Sequence, residues 1–129
     1  MTKRLDIEAT SRTPAVTFDF DNHHLKIAGE SYPEDVTEFY GPVFAALDKY
    51  LNNIGNGKCR FEFELIYLNS SSAKAIMMVM DKLEDAAKKG AEVEVYWFYD
   101  NEDDTMQELG EEFGEDLESA KFHLAKMPG

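Results

Sequence analysis

The sequence predicts an α/β sandwich: a mixed β-sheet, opened by an antiparallel hairpin and continued as βαβα, with helices packed on it. Three observations carry this prediction. Apolar and polar residues alternate over 16–20 and 25–27, the period of half-exposed strands. Apolar residues then recur at three- and four-residue spacing over 36–51, 73–87 and 106–117, the period of amphipathic helices. Apolar strand segments at 59–69 and 91–99 flank the middle helix, an order that implies a parallel pair joined by a right-handed crossover.

Each element has its own signal. Val16, Phe18 and Phe20 share one strand face, with Thr17 and Asp19 on the other. Asp21-Asn22-His23-His24 turns the chain, and Leu25 and Ile27 make a second short strand ending at Ala28-Gly29. Val36, Phe39, Tyr40, Val43, Phe44, Leu47 and Leu51 line a helical face. Pro42 predicts that the main helix starts there, after a short turn, because proline suits a first helical turn. Gly55 and Gly57 end that helix. The strand that follows closes on Leu65-Ile66-Tyr67-Leu68, a run expected of a strand covered on both faces. The next helix turns Ala73, Ile76, Met77, Met80, Leu83 and Ala87 inward; Lys88 and Lys89 complement its C-terminus and Gly90 stops it. An acidic helix over 102–117 turns Met106, Leu109, Phe113 and Leu117 inward, and Phe122 and Leu124 make a final short strand.

The 129 residues, 43% of them apolar, suffice for one core, and no linker or repeat divides them, so a single domain over 1–129 is expected. Against 13 Lys and Arg stand 26 Asp and Glu, a formal net charge of −13. Such an excess repels nucleic-acid phosphates and anionic lipid headgroups, so neither nucleic acid nor direct membrane binding is expected. The segment MTKRLDIEATSR lacks the apolar stretch of a secretory leader, and no run is long enough to span a bilayer, which points to a cytoplasmic protein. Cys59 is the only cysteine, which excludes an internal disulfide and a cysteine-based zinc site; it reads as a buried bystander. No cofactor is expected.

The most informative segment is LIYLNSSSAKAIMM. An apolar strand delivers three serines onto the start of an amphipathic helix, where unpaired N–H groups and the helix dipole favour an anion. A phosphate added there is stabilised locally; equally, one serine serves as the N-cap and the others form a polar loop. No nearby base activates a serine nucleophile. Three other constellations have bland readings beside the chemical one. Asp19-Phe20-Asp21, the serines and Asp103-Asp104 follow three strands, an order that resembles the haloacid-dehalogenase-like phosphatases, but His23 stands where those enzymes have Thr or Val. Asp19 and Asp21 also fit the solvent side of an edge strand. Asp100, Glu102, Asp104 and Glu111 fall at positions 1, 3, 5 and 12 of a calcium-loop spacing, yet Thr105 replaces the required glycine and the residues from Asp103 read as helix. His23 and His24 sit side by side in a turn and point apart.

The segment order, a hairpin ending in Gly29-Glu30, a helix, then a strand running into a serine loop, resembles the STAS domains of anti-sigma-factor antagonists. Their loop reads Asp-Ser-Ser-Gly with the first serine phosphorylated; here it is Asn69-Ser70-Ser71-Ser72. The chain is more closely similar to the SiaC family of bacterial regulatory phosphoproteins, through GESYPEDVTEFYGPV, FEFELIYLNSSSAKAIMMVMDKLE and EVYWFYDNEDDTMQELGEEF, about half of the chain. That resemblance implies a STAS-like fold and a partner-switching protein rather than an enzyme. It implies that a dedicated Ser/Thr kinase modifies the hydroxyl residue after Asn69, a metal-dependent Ser phosphatase reverses this, and the unmodified form binds and activates a diguanylate cyclase. The acceptor is then Ser70, with Ser71 second; a family member bearing Thr there differs from this chain in the acceptor's methyl group. Asn69, Ser71, Ser72, Ala73 and Lys74 would form the switch loop and partner contact, and the free chain would be a monomer. A constitutive interaction module, its serines only capping a helix, is the alternative.

The charge excess is local. Ten of the 26 acids lie between Asp100 and Glu118, where no Lys or Arg occurs. Glu102, Asp103, Asp104, Glu108, Glu111 and Glu112 therefore form either a surface that steers basic partners or a merely solubilising face.

Overall fold

The computed structural model describes residues 4–127; residues 1–3 of the N-terminal segment weighed as a leader lie outside it. Its elements are β1 (Arg4–Ile7), β2 (Ala15–Asp19), β3 (His24–Ser31), α1 (Val36–Asn52), β4 (Lys58–Leu68), α2 (Ser70–Lys88), β5 (Glu92–Tyr99), α3 (Asp104–Glu115) and β6 (Lys121–Lys126). Chain order is also spatial order in the six-stranded sheet. β1, β2 and β3 pair antiparallel, and β3 through β6 pair parallel, each parallel step made through a helix. The mixed α/β sheet expected from the sequence is thus present. β1 is additional: its Leu5 and Ile7 pair beside Phe18 and Val16. β2 is therefore internal, and Asp19 does not lie on an edge strand.

The register places Val16, Phe18, Leu25, Ile27, Phe61, Phe63, Val95 and Trp97 on one face, all with no exposure, and the three helices cover that face. Each such side chain contributes roughly 1.5–3 kcal/mol of burial. The opposite face carries polar pairs, within and across strands, instead of helices. Lys26 pairs with Glu64, while Arg60 and His24 reach Glu62 at 2.8 and 2.6 Å. The Arg60 guanidinium lies 4.0 Å over the Tyr96 ring, which stacks on His123 at 4.4 Å.

This one-sided cover corrects two expectations. The end of β4 is not buried on both faces: Ile66 and Tyr67 are 59% and 49% exposed. The pairing steps from Gly29–Leu65 to Glu30–Tyr67, so Ile66 is an extra residue bulged out of register, and no helix covers it. On α2, Met77 and Met78 are exposed, while Ser72 and Glu84 are buried with Ala75, Ile76, Val79, Met80 and Leu83. Polar groups at both ends of the buried stripe disguise its position. The Glu84 carboxylate accepts backbone N–H bonds from Ser119 and Ala120 at 2.9–3.0 Å. Burial pushes its pKa up, but these bonds outweigh it and hold the group below the usual carboxylate range.

Helix α1 also differs from expectation. It starts at Val36, capped by Asp35, and runs unbroken through Pro42. Gly41 explains the tolerance, because the steric clash that proline imposes on its predecessor falls partly on a Cβ that glycine lacks. Tyr40, Val43 and Leu47, buried on both sides of Pro42, hold the helix against the cost.

Helix α3 sits directly on β5. The Trp97 indole N–H donates to the Met106 carbonyl at 3.0 Å, and a Cβ on Gly110 would lie 2.4 Å from the Trp97 ring. Met106 and Phe113 are buried as expected, with Leu109 and Leu117 half-buried. Gly110→Ala should therefore destabilise the fold by about 1–3 kcal/mol through overpacking, although helix propensity alone favours alanine by about 1 kcal/mol. Urea unfolding followed by Trp97 fluorescence measures the sign.

Candidate functional site

The serine loop lies where β4 hands over to α2, and Asn69 organises it. The Asn69 backbone N–H donates to the Ser31 carbonyl at 3.1 Å, tying the loop to the end of β3. Its side-chain oxygen accepts from the Ser72 N–H at 2.9 Å, and its carbonyl accepts from the Ala73 N–H at 2.9 Å. Asn69, and not a serine, is thus the N-cap.

The three serines are not equivalent. Ser70 and Ser71 are exposed, whereas Ser72 has no exposed surface. The Ser31 hydroxyl donates to the Ser72 hydroxyl at 2.8 Å and lies 2.6 Å from the Tyr40 hydroxyl, which supplies the proton Ser31 needs as an acceptor. This buried chain joins α1, β3 and α2. Burial raises the Tyr40 pKa and the Ser31 bond partly opposes that rise. Ser72, expected among the partner contacts, is instead an anchor, because its hydroxyl is used up inside the protein. Ala73 is half-buried and Lys74 exposed.

The head of α2 is electrostatically open. No acid lies in its first turn, whereas α1 has Glu38 and α3 has Asp104 there. The N–H groups of Ser70 and Ser71 have no acceptor among the described residues. Helical spacing places Met77 below Ser70 and Met78 below Ser71, and these methionines are 46% and 48% exposed. The exposed serines therefore top an apolar stripe.

The acidic segment begins at the same, C-terminal, end of the parallel strands. Asp103 caps α3 by accepting from the Met106 N–H at 3.0 Å, and the Asp100 carboxylate accepts from the Glu102 N–H at 2.9 Å. Glu102, Asp104, Glu108, Glu111 and Glu112 are exposed and Asp103 is half-buried. Among the described residues, no acid from Asp100 to Glu118 forms a salt bridge. Helix α3 takes up the calcium-loop spacing from Asp104 onward, and the described residues hold no group of three or more His, Cys, Asp or Glu placed for a metal.

The phosphatase-like constellation does not assemble. Asp19 sits beside His24 at the start of β3, whereas the serine loop adjoins Ser31 at its end, seven residues or roughly 23 Å away. The Asp19 carboxylate is occupied by Arg4 at 3.1 Å and Asn22 at 2.7 Å. His23 and His24 serve separate partners, the Tyr50 hydroxyl and Glu62, each at 2.6 Å. Burial pushes the Cys59 thiol up to about 12, which keeps it protonated at neutral pH.

Comparison with known proteins agrees with this geometry. A family model described as "SiaC family regulatory phosphoprotein" matches residues 7–127. This chain belongs to the SiaC family. An uncharacterized protein of Pseudomonas aeruginosa strain UCBPP-PA14 is 38% identical over 112 residues, covering 87% of this chain and 88% of the relative. The crystal structure of apo-SiaC from P. aeruginosa superimposes with a TM-score of 0.86 at 34% identity, over 96% of this chain and 99% of that one. The SiaC of a P. aeruginosa complex, described as diguanylate cyclase SiaD with its activator SiaC, gives a TM-score of 0.87 at 34% identity, over 95% and 99% of the two chains. The fold and family read from the sequence are those of SiaC. No helix of the described residues is long and apolar enough to cross a membrane.

Ser31 and Tyr40 escaped the sequence reading, since a serine ending a strand and a tyrosine on an apolar helix face carry no motif. Their role is testable. Ser31→Ala strands two buried hydroxyls and should cost about 1–3 kcal/mol, whereas Ser70→Ala and Ser71→Ala should stay within about 0.5 kcal/mol of wild type. Chemical denaturation of the three variants separates anchor from exposed loop.

Proposed function

We propose that this chain is a partner-switching regulator: a Ser/Thr kinase phosphorylates Ser70, a metal-dependent Ser phosphatase removes the phosphate, and the unmodified form binds and activates a diguanylate cyclase. Membership of a regulatory phosphoprotein family and the SiaD complex of the P. aeruginosa relative support this reading. The observation that supports an acceptor here is the inequality of the serines: Ser70 and Ser71 are exposed at the start of a capped helix and Ser72 is locked inside, while the position directly after Asn69, where the family resemblance places the acceptor, favours Ser70.

Phosphorylation adds roughly −1.5 to −2 charge and three strong acceptor oxygens. At Ser70 that dianion meets the positive end of α2, the free N–H groups of Ser70 and Ser71, and Lys74 one turn on. The free protein accommodates it without refolding. A partner that packs an apolar or acidic surface over Ser70, Ala73 and the Met77–Met78 stripe is instead forced to desolvate or repel it. A loss of about 1.4 kcal/mol weakens such a complex tenfold, and a buried dianion costs more than that.

Intact mass after incubation with ATP and the cognate kinase tests the assignment. Ser70→Ala should lose the phosphorylated species and still capture the cyclase, while Ser71→Ala should be modified like wild type. Full phosphorylation of Ser70→Ala would move the acceptor to Ser71, and no modification of any form would favour the constitutive module.

A further inference from the structure

Where β4 hands over to the serine loop, the end of β4 and the β5–α3 loop line a groove of about 650 Å³. Leu65, the bulged Ile66 and Met127 supply its apolar part, and Asp100, Glu102, Asp103 and Asp104 its rim. Ile66, 59% exposed, is the most exposed large apolar side chain among the described residues. None of the four rim acids is neutralised by a described Lys, Arg or His, and the sequence places no basic residue between Asp100 and Lys121. We infer that this groove docks a basic amphipathic helix of a protein partner, its apolar side on Ile66 and Met127 and its Lys or Arg residues against Asp100, Glu102 and Asp104.

The physical case is complementarity. Removing Ile66 and Met127 from water provides the attraction, whereas an acidic or neutral segment would face four carboxylates with no compensating cation. Acids this close together raise the local concentration of a cationic partner, an effect that fades as salt shortens the Debye length to about 8 Å at physiological strength. Ile66 precedes Ser70 by four residues, so a helix held here lies next to the proposed phosphorylation site, and neither Met77 nor Met78 lines the groove it fills. The inference rests on the reading that this chain works by docking proteins, and it assigns the chemistry of one partner segment.

The probe is a designed 18-residue peptide of Leu and Lys with helical amphipathic spacing, and a companion peptide in which every Leu is Gln. Titrated into the unmodified ¹⁵N-labelled chain, the first should shift the amides of Leu65, Ile66, Asp100 to Thr105 and Met127, and the companion should bind at least about tenfold more weakly. Ile66→Ser, at an exposed position that leaves the core intact, should weaken the Leu/Lys peptide about fivefold at any salt. Asp100→Asn/Glu102→Gln/Asp104→Asn should weaken it about tenfold at low salt and less at high salt. Equal binding of the two peptides, or shifts spread along α3 past Glu108 with Ile66 and Met127 unmoved, would reduce the effect to bare charge attraction and overturn the inference. The same variants tested against the cyclase separate the two readings. If wild type fails to bind any cyclase while the peptide still occupies the groove, the cyclase reading fails and the groove stands. If the cyclase binds but the peptide does not map to the groove, the groove alone fails.

Discussion

The proposed switch depends on a chain of three buried hydroxyls. Tyr40, Ser31 and Ser72 join α1, β3 and α2 through contacts of 2.6 and 2.8 Å, and Asn69 adds a cap and a backbone bond to Ser31. The head of α2 is therefore fixed to two other elements before any partner arrives. Rigidity there has a functional consequence: it keeps two helix N–H groups and the Ser70 hydroxyl pointing outward in one geometry. Had a serine been the N-cap, modification of that serine would have unmade the helix start. Because Asn69 holds that role, the phosphate proposed at Ser70 would add to the structure rather than disrupt it.

The second constraint is one-sided cover of the sheet. All three helices pack on the face carrying Phe61, Phe63 and Trp97, so the connections after β4 and β5 emerge together at the C-terminal ends of the parallel strands. That edge is where open α/β sheets collect their binding surfaces. Here it gathers the exposed serines, the bulged Ile66 and the start of the acidic segment. The charge excess of −13, diffuse as a composition figure, becomes a polarised feature: its densest stretch begins beside the loop that receives the proposed phosphate. Gly110 of α3 permits that arrangement, letting the helix approach Trp97 closely enough to be held by its indole N–H.

Most of the architecture was legible because the relevant periods are clean. β2, β3, β5 and α3 alternate or recur as half-buried elements must, and the helix between two apolar strands left little choice of connection. What was misread shares one cause, the assumption that apolar means buried and polar means exposed. Ile66, Tyr67 and Met77 read as core in the sequence and are exposed, while Ser31, Ser72 and Glu84 are buried because hydrogen bonds satisfy them. Pro42 misled for a related reason, its conflict with helix being relieved by Gly41 and outweighed by packing on either side. β1 was too short to announce itself. Of the site, the loop and its candidate acceptor came from a motif and a family resemblance, whereas the difference between Ser70 and Ser72 required coordinates.

On the proposed mechanism, Ser70 phosphorylation acts locally on a pre-fixed helix start and leaves the fold alone. Amide ¹H–¹⁵N spectra of the free chain before and after stoichiometric phosphorylation measure this directly. A local switch gives shifts confined to the Asn69–Met78 segment and to Ser31 and Tyr40, with α3, β1 and β2 unchanged. Widespread shifts, or loss of the resonances of α2, would contradict it and replace the rigid switch with one that works by unfolding.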